Sequence, residues 1–168
     1  MKIAKWFIVG LVAYSLNSCY SFKSAGIPPG LQTFYVEEFD NTALNVVPTL
    51  AIDFTQKLIT KARIEGKLSY TEYEPHVDFK GVITTYSVTS QAPEEGQTTA
   101  FNRLEIIVKV TYTNNLEEDS EKSWEDRTFS FFEDYPSDVN LLDVQDDLIE
   151  NISDQIIEDI FNAAFSGW

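Results

Sequence analysis

The chain has 168 residues, 27 of them acidic and 12 basic, for a formal net charge of −15. Such acidity argues against nucleic acid, whose phosphates demand basic patches, and against broad docking on an anionic surface. Hydrophobic residues make up 43% of the chain and aromatics 14%, which is enough to pack a core and argues against disorder.

The chain starts MKIAKWFIVGLVAYSLNSC. Lys2 and Lys5 form a positive end, and Trp6 to Leu16 is an apolar run of eleven residues. A membrane-spanning helix needs about 20 such residues to cross a hydrocarbon core of about 30 Å, so this run reads as a secretory signal instead. It ends at Leu16-Asn17-Ser18-Cys19, with the chain's only cysteine. These four residues resemble the lipobox of bacterial lipoproteins, which implies cleavage before Cys19, a diacylglyceryl group on its thiol and acylation of the new amine. Two or more acyl chains hold a protein stably on a membrane. The expected division is a signal peptide over 1–18, a lipidated tether over 19–32 containing Pro28-Pro29-Gly30, and a single domain over 33–168. Loss of Lys2 and Lys5 with the signal leaves 10 basic and 27 acidic residues, a net of −17. With one cysteine there is no internal disulfide.

Thr33 to Phe39 is rich in aromatic and β-branched residues and predicts a strand. Pro48 suits a first helical turn, and Leu50, Phe54, Leu58 and Ala62 recur every four residues as one buried helix face, ended by Gly66. Leu68 to Tyr73 predicts a short strand. Val77 to Thr89 predicts a longer one, with Gly81 as a candidate bulge. Ser90 to Thr98 is a polar turn. From Ala100 to Tyr112 apolar residues fall on even positions, while Arg103, Glu105, Lys109 and Thr111 are odd, so this strand has one covered face. Asn114 to Asp119 predicts a turn and Lys122 to Glu133 its partner strand. The last element, about Asp138 to Phe165, sets Leu141, Leu148, Ile149, Ile152, Ile156, Ile160 and Ala163 on one helical arc. Ser137 or Asn140 is its candidate cap. The expected fold is α+β, in the order β-α-β-β-β-α: a mostly antiparallel sheet of four to five strands with two helices packed on one face.

Catalytic chemistry is hard to assemble from these residues. His76 is the sole histidine, and structural zinc wants about four N or S ligands. The carboxylates at Glu37-Glu38, Glu94-Glu95, Glu117 to Asp119 and Asp143 to Asp147 lack calcium-loop spacing and read as solvated faces. No Gly-rich phosphate loop is present, so the expectation is a protein that is not an enzyme and carries no cofactor or metal.

Four stretches carry a wider resemblance: the lipobox followed by YSF, VEEFDNTALNVVPTLAIDFTQKL from Val36 to Leu58, TTAFNRLEIIVKVTYTN from Thr98 to Asn114, and LIENISDQIIEDIFNAAFSGW at the end. Together they resemble the LptE family of lipopolysaccharide (LPS) assembly lipoproteins. The resemblance implies a periplasm-facing subunit of the LPS translocon, anchored in the inner leaflet of the outer membrane. Such a subunit plugs an LptD-like β-barrel, assists its assembly and aids LPS insertion into the outer leaflet. It also implies a sheet with two helices on one side. Cys19 is the one site residue it transfers. The alternative is a lipoprotein subunit of another envelope transport or assembly complex. From charge alone, Arg103 and Lys109 on one strand face, with Lys80 and Arg127 on neighbouring strands, are candidate contacts for LPS phosphates. On the last helix Ile157, Phe161 and Phe165, followed by Trp168, extend around from the main core stripe; they form either a wedge into the core or a partner surface.

Overall fold

The computed structural model describes residues 27, 30–45, 47–92 and 100–165. The expected signal, Cys19, the polar turn at 93–99 and Trp168 lie outside the described residues. Six strands and two α-helices follow in order: β1 (Thr33–Val36), β2 (Asp40–Asn41), α1 (Leu50–Ile64), β3 (Ser69–Tyr70), β4 (Val77–Gln91), β5 (Phe101–Asn114), β6 (Trp124–Pro136) and α2 (Leu141–Phe165). A 3-10 turn, Glu117–Lys122, joins β5 to β6.

The strands form one sheet in the order β3-β1-β4-β5-β6, with β2 also paired to β4. The α+β class holds, but the expected four to five mostly antiparallel strands are six strands in a mixed sheet. β4–β5 and β5–β6 are antiparallel hairpins, whereas β1 runs parallel to both β3 and β4, and β2 runs parallel to β4. Parallel neighbours need a crossover, and α1 supplies it between β1 and the strands that follow.

β1 and β2 lie in line along β4, interrupted at Glu38-Phe39. Glu37 N–H donates to Phe79 O before the break, and Thr42 N–H donates to Ile83 O after it. At the break, Phe39 N–H leaves the ladder and donates to the Thr55 hydroxyl of α1, which in turn donates to Ala51 O. A buried N–H must find an acceptor, so this bond explains the otherwise anomalous buried threonine. The Phe39 ring fills the space above Gly81, where a Cβ would collide with it. Gly81 is therefore a close-approach glycine; the β4 register shift falls at Ile83/Thr85.

On β5 every even residue from Leu104 to Asn114 is buried, as the alternation predicts. This face meets the helices. α1 contributes Phe54 and Leu58, and Phe165 of α2 packs edge-on to Phe79 and Tyr112. α1 opens after Pro48, with Leu50 N–H bonded to Val47 O, so the proline precedes the helix rather than entering it. Asn140 caps α2: its side-chain oxygen accepts from Leu142 N–H at 3.1 Å. Leu31, assigned to the tether by sequence, is buried in the core.

Candidate functional site

The sheet's second face carries the odd residues of β5, with Lys80 and Val82 of β4 and Thr128, Ser130, Phe132 and Asp134 of β6 beside them. Its side chains are half-buried or exposed. The antiparallel registers decide where each candidate cation goes. Lys80 lies opposite Thr111 and Lys109 opposite Val82, so the two lysines are diagonal neighbours on adjacent strands. Such a diagonal is about 7–8 Å, within reach of one phosphate. Lys80 has Glu37 at 3.6 Å, and Lys109 has no ion pair among the described residues.

Arg103 lies on the same face but six residues from Lys109, about 20 Å along the strand. Its guanidinium binds Asp134 through two bonds, Nε to Oδ1 at 2.7 Å and Nη2 to Oδ2 at 2.9 Å, and sits 3.6 Å above the Phe132 ring. The hydrogen bond from Arg103 holds the Asp134 carboxyl below its ordinary value, and the same bond raises Arg103. Arg103 is thus already satisfied by a forked pair and a ring. Register sets Asp134 directly opposite Arg103, which makes it the cross-strand partner. Arg127 departs further: it lies opposite Val110, whose side chain is on the helix-covered face, so it cannot join the other three. Its guanidinium lies over Trp124 and Phe129.

For the strip on α2, burial favours the first of its two alternatives, the wedge into the core, as far as Phe165. Ile157, Phe161 and Phe165 are 3%, 6% and 1% exposed, with Phe161 and Phe165 stacked edge-to-face at 4.9 Å. They wedge into the core: Phe165 packs edge-on to Phe79 and Tyr112 of the sheet, and Phe161 lies beneath the Lys61 ammonium of α1.

A feature the linear pattern did not suggest is a cleft of about 880 Å³ between α1 and α2. The two helices run alongside each other in the same direction, so Lys57 meets Asp154 and Glu150, while Lys61 meets Glu158 and Glu65. Burial pulls the Lys61 ammonium down, but its bonds to Glu158 and Glu65 outweigh that and leave it raised; the Lys61 bond lowers Glu158. These pairs close the seam. Only the packing of the two helices brings residues 97 apart in sequence together.

Elsewhere, His76 Nδ1 accepts from Gln32 N–H at 3.2 Å, tying the segment before β1 to the start of β4. Among the described residues no group of three or more His, Cys, Asp or Glu side chains could hold a metal, and no helix is long and apolar enough to cross a membrane.

The class is a one-sided α+β domain: two helices cover one face of a mixed sheet, and the other face, of mixed charge, stays open. Comparison with known proteins is consistent with that class. The lipopolysaccharide-assembly family, LptE, matches residues 31–164, and the chain belongs to this family. No curated protein matches the chain by sequence. Among solved structures, a hypothetical protein from Chlamydia trachomatis is similar with a TM-score of 0.52 at 7% identity, covering 80% of this chain and 98% of that one. A minor lipoprotein from Acinetobacter baumannii is similar with a TM-score of 0.50 at 13% identity, covering 79% and 93%. At these identities the likeness is one of fold.

Proposed function

We propose that the protein is an outer-membrane lipoprotein subunit of an LPS translocon. It is anchored through Cys19 and faces the periplasm, where it plugs an LptD-like barrel, assists its assembly and aids LPS insertion. Membership of the LptE family over residues 31–164 carries this reading. The role is non-catalytic: the domain supplies a shaped surface. Within it, the Lys80–Lys109 diagonal is the place for a phosphate of LPS, because Lys109 is unpaired among the described residues and the Glu37 contact to Lys80 is a long, exposed one. Arg103 orders the β5–β6 edge through Asp134 and Phe132, and Arg127 has no part in this contact.

Affinity capture of the detergent-solubilised native chain should bring down an LptD-like barrel, and depletion should leave that barrel misfolded and surface LPS reduced. An unchanged barrel and unchanged surface LPS on depletion would overturn the reading. Retention of a fatty-acid label in Cys19→Ser would separately remove the anchor. Reversing Lys80 and Lys109 together to Glu should weaken LPS binding by roughly tenfold or more, two lost phosphate contacts being worth about 1.4 kcal/mol or more in all. Arg127→Glu should leave it unchanged.

A further inference from the structure

The seam between α1 and α2 follows one offset. Lys57 meets Asp154 and Lys61 meets Glu158, each pair 97 residues apart in sequence. Carried one turn toward the helix starts, the same offset sets Asp53 opposite Glu150, acid against acid. Asp146 stands one turn further up α2. Neither Asp53 nor Asp146 has an ion pair among the described residues, and Glu150 has only Lys57, at 3.9 Å. This is the upper end of the cleft of about 880 Å³, where Val47, Leu50 and Ile149 give an apolar lining beneath the three exposed carboxylates.

α2 gains nothing in the fold from this arrangement. The helix has no basic residue of its own. Asp146, Glu150, Asp154 and Glu158 follow one another at four-residue spacing, where like charges repel and weaken a helix. Lys57 and Lys61 relieve the lower two; the upper two, with Asp53 facing them, are left without a cation of their own. A local rule broken without a compensating gain marks a position kept for something other than folding.

We infer that the upper end of this cleft receives a cationic segment of the barrel partner, an arginine with apolar neighbours, whose guanidinium takes the place a third seam lysine would hold. The inference rests on the translocon reading and names the part of the plug that grips the barrel. Three features select this occupant. The carboxylates come from two different helices, and a planar guanidinium presents donors to both sides at once. The apolar lining suits the flanking side chains. A bare metal ion fits less well, since no three acidic groups among the described residues lie close enough together to hold one. Charge complementarity of this kind selects the partner and sets its register.

Filling the place from within tests the inference. In the detergent-solubilised full chain, Asp53→Lys supplies the missing cation opposite Glu150. Its unfolding midpoint should equal or exceed the parent's, and its capture of the native barrel should fall roughly tenfold or more. Glu150→Gln, a milder change at an exposed side chain, should also weaken capture. Asp159→Lys, which reverses an exposed acid outside the cleft, should not. Benzoylphenylalanine at Thr49, exposed beside the site and without a side-chain capping bond, should photo-cross-link to the barrel. A parent chain that captures no barrel overturns the translocon reading and this inference with it. A barrel captured equally by the parent, Asp53→Lys and Glu150→Gln overturns this inference alone, as does a Thr49 cross-link formed only to a second copy of the chain.

Discussion

Ile106 and Ile107 are adjacent residues of one type on one strand, yet they serve different surfaces. Ile106 is fully buried beneath the helices, with every even neighbour on β5 buried beside it. Ile107 is half-buried on the open face, between Thr85 and Ser130. The helix side is held by one buried cluster, in which Phe79, Tyr112 and Phe165 pack against one another, Phe54 packs on Phe39 and Phe34 on Tyr70. The open side is held by pairwise contacts: Arg103 with Asp134 and Phe132, and Lys80 with Glu37. Stability therefore belongs to one face, which leaves the other able to change sequence and to bind. Close packing penalises any lost methylene, whereas solvated pairs have water as a ready substitute.

The same substitution on both sides should separate them most. Ile106→Ala is expected to cost about 2–5 kcal/mol in urea unfolding, and Ile107→Ala under about 1 kcal/mol. Equal losses would mean that the open face is as firmly packed as the covered one. A smaller effect is expected at Gly81, where an Ala Cβ must displace the Phe39 ring packed 5.1 Å from Phe54. Gly81→Ala should cost about 1–3 kcal/mol, read as a lower unfolding midpoint with unchanged slope. A neutral result would show that Phe39 can move without disturbing α1.

The smallest effect belongs to the charged seam between the helices. Glu158 titrates below its ordinary value when folded because Lys61 donates to it, so its contribution is present above the unfolded carboxyl range and is lost as pH falls through the depressed folded value. Glu158→Gln should lower stability by under about 1 kcal/mol near neutral pH, the side chain being substantially exposed. The gap from the parent should close on acidification. A gap that persists at low pH would assign the effect to packing rather than to charge.

Much of this could be read from the chain alone. Period two on β5 marked its buried face, and the four-residue recurrence of Leu50, Phe54, Leu58 and Ala62 marked the buried face of α1, because burial imposes the geometry of each element on its own residues. The α+β class followed from the order of those elements. The tertiary structure decided what depends on register and on distant partners. β3 falls within the short strand expected over Leu68 to Tyr73, but β2 is two residues long and leaves no pattern, and periodicity does not carry the parallel pairing of β1 with β3 and β4 that makes the sheet mixed. Gly81 needed Phe39, and Thr55 needed the N–H that Phe39 withdraws from the ladder. The four candidate cations looked alike in the sequence. Register paired Lys80 with Lys109, committed Arg103 to Asp134 and put Arg127 on the other face, since a one-residue step in a strand reverses the side of the sheet. The aromatic end of α2 was ambiguous for a related reason: helical angle says which residues share a face, and only the packing of a second helix says whether that face is covered.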